Sequence, residues 1–203
     1  MLRFSKPAIL ILVSLALQYC SSIAPPAVEN VVWDSQRQLL EDLGQWELRG
    51  RVNVVYENES YTPNIRWQQE QRDYSIRLWG TLNAGNTRIN GRPGAVTMER
   101  GGDILSASSP EQLILQQLGY ELPVSYLEYW IRGLPAPGSR ADLNFNDLNQ
   151  LAGMEQDGWT VDYPDPRQYG DLTLPRRVDV TRPLDDVRLR FFRLNWTLDQ
   201  AAN

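Results

Sequence analysis

From Trp46 onward the chain reads with a period of two, and no other property restricts its fold as much. Trp46, Leu48, Val52, Val54 and Tyr56 alternate with polar residues, the pattern of a strand with one face buried. The same pattern recurs at 64–70 (Ile65, Trp67), 73–79 (Tyr74, Ile76, Leu78), 86–91 (Ile89) and 95–99 (Val96, Met98), with a short piece near 103–107. It returns at 142–146, 158–163 (Trp159, Val161, Tyr163), 171–174, 177–182 and 186–198. Asn58, Pro63, Gly91, Pro93, Gly94, Gly101 and Gly102 punctuate the first set, as turn residues do. Short connections of this kind predict an antiparallel meander of about ten or eleven strands. The last segment changes parity near Phe192, which predicts a bulge.

Three stretches break the alternation. Trp33, Leu39, Leu40 and Leu43 recur at helical spacing over 33–43 before Gly44. Ser109-Pro110-Glu111-Gln112 supplies an N-cap, a proline at the first helical position and a glutamine three residues after the cap, a capping box. Leu113, Ile114, Leu115 and Leu118 follow, and Gly119 ends that helix. Pro123 opens a third, with Tyr126, Leu127, Trp130 and Ile131 apolar and Gly133 beyond it. The fold class is therefore mainly β with α. A sheet this long curls, and three short helices are available to cover its apolar face. A curved sheet under a helical lid encloses an elongated apolar groove, the form of a lipid site. Periodicity alone favours the plainer outcome, a core filled by the chain's own side chains.

Composition narrows the chemistry. Among 203 residues there is no histidine and one cysteine, Cys20, so the commonest general base and the ordinary zinc ligand sets are missing. No glycine-rich phosphate loop and no nucleophile elbow occurs. The acid pairs Glu57/Glu59 and Asp162/Asp165 stand at turn-like positions, where carboxylates are normally solvated. The reading is a non-enzyme with no cofactor and no metal site. The net charge is −5, against the basic footprint that nucleic-acid binding needs.

The N-terminus sets the compartment. Arg3 and Lys6 precede an apolar run from Ala8 to Leu17, too short to span a bilayer comfortably and placed where a secretory signal belongs. Cys20 closes the run as in a lipoprotein signal that is cut before an acylated cysteine. Leu17 suits that site, whereas Gln18 and Tyr19 are larger than its usual residues, which leaves an ordinary cleaved signal open. Ser21 in place of an aspartate permits outer-membrane sorting. The expected organisation is a signal peptide over 1–19, a lipidated N-terminus and tether over 20–32 with Pro25 and Pro26, and one domain over 33–203. Removing Arg3 and Lys6 leaves 18 cations, all arginine, against 25 acids, or −7.

At 124–138, VSYLEYWIRGLPAPG, the chain resembles the LolB family of outer-membrane lipoproteins, in which a helix ending W-I-x-G-L-P precedes a turn of small residues. Trp130, Ile131, Gly133, Leu134 and Pro135 carry the match. Gly50 in LRGRVNV, Trp67-Gln68-Gln69, Gly158-Trp159 with Val161 and Tyr163, and the closing RLRFFRLNW up to Trp196 follow in family order. The resemblance runs from about Trp33 to Leu198. It implies an incomplete antiparallel β-barrel with a helical lid. It also implies that the protein acts as a monomer on the periplasmic face of the outer membrane, where it receives lipoproteins from the periplasmic carrier LolA and inserts them into outer-membrane lipid.

In that setting the acyl chains of client lipoproteins would lie against inward strand and lid residues. The candidates are Val52, Val54, Trp67, Ile76, Leu78, Ile89, Met98, Leu118, Tyr126, Trp130, Trp159, Val161, Val178, Phe191 and Trp196. Leu82, in LWGTLNAGNT, matches the family's exposed leucine and is expected to touch the membrane; Thr81 and Asn83 replace the proline and glycine common beside it. Arg176, Arg177, Arg182, Arg188, Arg190 and Arg193 are read either as a solvated outer face or as a docking patch for an acidic rim on the carrier. Two other readings stay open. One is a lipocalin-like module holding a small free lipid, and the other is a structural lipoprotein of an outer-membrane assembly, with a filled core.

Overall fold

The computed structural model describes residues 31–57, 59–80, 86–119 and 122–198. Helix α1 (Val31–Glu41) leads into β1 (Gln45–Tyr56), β2 (Glu59–Tyr61), β3 (Asn64–Glu70), β4 (Asp73–Trp79), β5 (Thr87–Arg92), β6 (Ala95–Arg100) and β7 (Asp103–Ala107). Helices α2 (Pro110–Leu118) and α3 (Val124–Trp130) follow, then β8 (Ala141–Phe145), β9 (Leu151–Gln156), β10 (Trp159–Tyr169) and β11 (Leu172–Arg182). A single 3-10 turn, Pro183–Asp185, precedes β12 (Val187–Leu198). The strands form one 12-stranded sheet in the order β7-β6-β5-β4-β3-β1-β12-β11-β10-β9-β8, with β2 paired only to β1. The end strands β7 and β8 do not pair, so the sheet is open rather than a closed barrel.

Register explains why one face is apolar from edge to edge. Leu105, Met98, Ile89, Ile76, Trp67, Leu48 and Trp196 stand directly opposite one another from β7 through β12. Leu189, Val180, Val161, Met154 and Leu143 continue the belt to β8. Because side chains alternate, pairing in register carries this apolar set across the whole sheet, and a slip of one residue would expose it. The pairing of β1 with β12 joins the first and last strands at the sheet's centre.

The sequence pattern misses two strands. β2 is only three residues long. β9, LAGMEQ, contains no β-branched or aromatic residue, so its propensity signal is weak although Leu151, Gly153, Met154 and Gln156 are buried. The pieces at 171–174 and 177–182 are one strand, β11, which accommodates Pro175 opposite Pro166 where the β10–β11 register is irregular. Proline is tolerated at such irregularities, where the missing N–H breaks no ladder. The count is therefore 12 strands rather than about ten or eleven.

The parity change near Phe192 appears as a register shift between Arg49/Arg51 on β1 and Asn195/Phe192 on β12, with Arg193 at φ +55°. Gly50 faces this bulge, and a β-carbon there would lie 2.7 Å from Leu194 Cδ2 and 3.0 Å from the Phe192 carbonyl. Helix α2 has the expected cap, the Gln112 amide donating to Ser109 Oγ at 3.2 Å, and Gly119 closes it at φ +76°. The return arm of the capping box differs: Gln112 Oε1 accepts from the Ser108 amide and hydroxyl, one residue earlier than expected.

Candidate functional site

The lid is built from the three helices and the segment 131–137. Its centre is Trp130, fully buried, with Ile131 and Leu134 beside it. Gly133 lies at φ +84°, a conformation that glycine takes without strain, and this turns the chain so that Leu134 follows Ile131 into the core. The W-I-x-G-L-P motif is thus a lid clasp.

A buried amide holds the clasp to the sheet. Gln156 on β9 is 2% exposed. Its Oε1 accepts from Trp130 Nε1 at 2.8 Å and from the Ala136 amide at 2.9 Å. Its Nε2 donates to the Ala136 carbonyl at 2.7 Å and to Ser139 Oγ at 3.0 Å. The Tyr163 hydroxyl on β10 donates to the Trp130 carbonyl at 2.8 Å; burial pushes that phenol well above its ordinary pKa, so it stays a donor.

Arg132 is the second clamp. It is 5% exposed, and Nη1 donates to the Leu40 carbonyl at 2.8 Å, at the C-terminal end of α1. The guanidinium lies between the rings of Trp46 and Tyr129, 5.9 Å and 5.7 Å from their centroids. Burial lowers its pKa and raises that of Glu128, four residues earlier, whose carboxylate is also near Arg72. Sequence reasoning passed over Gln156 and Arg132. In strand and helix patterns both look like solvent positions, and only their buried neighbours reveal them.

Of the predicted groove residues, Val52, Trp67, Ile76, Ile89, Met98, Trp130, Trp159, Val161, Val178, Phe191 and Trp196 are buried, and Val54, Leu78 and Tyr126 are half-buried. The sheet members lie on the belt face, and Tyr126 and Trp130 come from the lid. In this state they pack on one another: Trp46 stands 5.5 Å from Trp67 and 5.3 Å from Trp196, and Trp130 stands 6.1 Å from Trp159, ring centre to ring centre. The side chain of Leu118, and all of Leu82 and Cys20, fall outside the described residues.

A cleft of about 520 Å³ lined by Arg37, Glu41, Leu134, Pro135 and Leu143 among others borders the clasp, and two more adjoin it. One, of about 300 Å³, lies between α1 and β10–β11 and is lined by Trp33, Leu40, Arg132, Tyr163 and Leu174 among others. The other, of about 320 Å³, lies where the α2–α3 side of the lid meets β3 and β4, and includes the predicted residues Trp67 and Tyr126 beside Tyr74. The Tyr74 phenol is pushed up to about 12 by burial, with Glu111 and Glu128 adding to the shift.

The six C-terminal arginines do not form one patch. Arg177 and Arg190 both bond Asp179, at 2.6 Å and 2.8 Å, and Arg188 and Arg193 are exposed. Arg176 is half-buried. Arg182 pairs in register with buried Val187 and lies 4.6 Å over the Trp159 ring, on the lid side of the sheet. Among the described residues, no group of His, Cys, Asp or Glu is placed to hold a metal ion.

Comparison with known proteins places this architecture. The family model described as "Outer membrane lipoprotein LolB" matches residues 44–196. The chain is 39% identical over 171 residues to the "Outer-membrane lipoprotein LolB" of Stutzerimonas stutzeri, covering 81% of this chain and 83% of that one. It is 41% identical over 147 residues to the protein of that name from Pseudomonas syringae pv. syringae, covering 72% of each. Among solved structures it shares its fold with a LolA superfamily protein from Nitrosomonas europaea, at TM-score 0.54 and 8% identity over 84% of this chain and 93% of that one. A curved open sheet, a clasped lid and a family match over residues 44–196 make this chain a member of the LolB family of outer-membrane lipoproteins.

Proposed function

We propose that this protein receives lipoproteins from the periplasmic carrier LolA, shelters their acyl chains between belt and lid, and places them in the outer membrane. The observation that carries this reading is the unbroken apolar belt under a lid of short helices, in a chain of this family. Each acyl methylene is worth about 0.8 kcal/mol when buried, so bare transfer through water would cost tens of kcal/mol. Hand-over between two apolar grooves avoids that cost without a nucleotide or a catalytic group. The clefts beside Trp67/Tyr126 and beside Leu40/Leu174 are where the lid would part. Residues 1–19 serve as the signal. Acylated Cys20 and the tether up to residue 32 hold the monomeric domain of 33–203 at the periplasmic face. Arg188 and Arg193 remain free to meet an acidic rim on the carrier.

Leu82 is the membrane contact. Keeping a leucine wet forgoes roughly 1.5–3 kcal/mol of burial, so an exposed one needs a use. The test mixes a carrier–lipoprotein complex with this protein and with vesicles. The wild-type chain takes the cargo and delivers it. Leu82→Glu takes the cargo and fails to deliver it. Undiminished delivery by Leu82→Glu refutes the membrane role, and cargo that never leaves the carrier refutes the whole reading. A second reading, a structural lipoprotein, draws on the packed state of the belt, and it predicts that second result.

A further inference from the structure

Arg132 carries a full positive charge into the interior and meets only neutral groups there. Nε donates to the Glu128 carbonyl at 3.1 Å, and Nη1 to the carbonyls of Leu40 at 2.8 Å and Leu43 at 3.4 Å. The Trp46 and Tyr129 rings flank the guanidinium. Among the described residues no carboxylate is in ion-pair contact with it, and Nη2 makes no hydrogen bond. The acids whose field reaches it are Glu128 and Glu41. Both are drawn to other cations: Glu128 lines the α2–α3 cleft beside Arg72, and Glu41 stands 4.0 Å from Arg37. A buried ion without a counterion is costly, and an anion that reaches it offsets that cost.

The cleft under α1 gives an anion its route. Among the described residues that line this space of about 300 Å³, Arg132 is the only one with a charge. Leu40, Leu151, Leu174 and Pro175 form a buried apolar floor, and Val32 and Gln168 at the mouth are exposed. Neighbouring polar side chains are already engaged. Gln36 bonds the Asp171 carbonyl and the Thr173 amide, and the Tyr163 hydroxyl bonds the Trp130 carbonyl. The cleft also lies beyond the belt. The belt crosses β10 and β11 at Val161 and Val180, whereas Pro166 and Leu174 stand further along both strands, toward their hairpin.

One cation at the base of an apolar cleft selects a ligand with an apolar chain and a single anionic head. If each methylene-sized group takes a water's share of liquid, about 30 Å³, the cleft holds about ten of them. A planar carboxylate matches the free edge of the guanidinium. An acyl chain joined to a protein through an ester or amide has no such head. We propose that the cleft under α1 binds a free fatty-acid carboxylate, its head on Arg132 and its chain against Leu151, Leu174 and Trp33. The site is independent of cargo hand-over.

The full chain is reconstituted in nanodiscs and titrated with octanoate while its indole and arginine side-chain N–H resonances are followed by NMR, with empty nanodiscs as the blank. Trp33 and Arg132 are expected to shift saturably, and Trp67, on the belt, to stay in place. Octan-1-ol has the same chain without the charge and should bind roughly 10- to 100-fold more weakly. Octylammonium should not compete. Arg132→Gln brings octanoate down to the level of octan-1-ol. Because Arg132 also clamps the lid, Val32→Glu is tested beside it. Val32 is 50% exposed in the first turn of α1, where an acid suits the helix. The new carboxylate at the mouth weakens octanoate and leaves octan-1-ol unchanged. Equal affinity for octanoate and octan-1-ol overturns the proposal, as do shifts centred on Trp67 rather than Trp33. Octanoate affinity that survives Val32→Glu, or a folded Arg132→Gln, overturns it as well. Octanoate binding at Trp33 in a chain that never accepts cargo strikes the transfer reading and leaves this one standing.

Discussion

Gln156→Met tests whether the lid is held by one buried amide. Methionine has nearly the same length and no polar terminus, so packing is conserved while the hydrogen bonds are lost. Three groups are left behind: Trp130 Nε1, the Ala136 amide and the Ala136 carbonyl, each now bonded to Gln156 at 2.7–2.9 Å. A stranded buried group costs about 1–3 kcal/mol. Partial relaxation of the 131–137 segment brings the expected total to roughly 3 kcal/mol rather than the sum of the upper values. For a chain of this size that lowers the melting temperature by roughly 6–12 °C. Urea unfolding of the two proteins measures the difference, and hydrogen exchange at the Ala136 amide localises it. The exchange rate there should rise more than at the belt amides. A loss under about 1 kcal/mol, or uniform acceleration of exchange over the whole sheet, would show that the amide does not pin the lid.

Three other outcomes follow from the same structure. Gly50→Ala should destabilise by about 1–3 kcal/mol through overpacking, because the new methyl meets Leu194 Cδ2 at 2.7 Å and the Phe192 carbonyl at 3.0 Å; unchanged urea unfolding would refute the close approach. Glu47 has its pKa lowered first by the hydrogen bond from Arg66. Its stabilisation is therefore full above the ordinary carboxylate range and lost as pH falls through the lowered value, and Glu47→Gln should flatten the acid limb of a stability–pH curve. Glu128 is raised first by burial, so the sign reverses. Glu128→Gln should stabilise at neutral pH and lose that advantage once acid protonates the native carboxylate, and an equal effect at both pH values would contradict the burial argument.

How much of this could be read from the chain alone depends on the kind of signal. Alternation marks strands such as β3 and β12 because one face is apolar and the other polar, and it identifies the belt residues Trp67, Ile76 and Phe191 individually. It fails at β9, where glycine, alanine and glutamine take the place of branched side chains. Gln156 then escapes notice because a glutamine at an inward position reads as a break in the pattern rather than as a partner for an indole. Arg132 is hidden for the same reason: nothing local indicates that α1, 92 residues earlier, will offer it the Leu40 carbonyl. The cleft under α1 is invisible for a different reason. Its lining is spread from Val32 to Pro175, and only the fold makes those residues neighbours.

A packed belt is compatible with a carrier only if the lid can be lifted at a cost that the cargo offsets. Parting it wets Leu127, Trp130, Ile131 and Leu134, all buried in this state. At roughly 1.5–3 kcal/mol each, that is about 6–12 kcal/mol. One acyl chain of about fifteen methylenes, at about 0.8 kcal/mol each, returns about 12 kcal/mol when it takes their place. The two quantities are of one size, so under the proposed hand-over the closed form would be favoured in the absence of cargo and the open form would become accessible in its presence. Without that balance an open apolar trough would face water whenever the protein was empty, and would bind stray lipid or a second copy of itself. On that reading the Gln156 clasp and the Arg132 clamp would set where the balance falls, since both fix the lid through polar groups that an acyl chain cannot replace. A chain lacking either should therefore take up an apolar fluorescent probe that the intact, cargo-free protein excludes. Equal uptake by both proteins would mean that the lid is not what closes the belt.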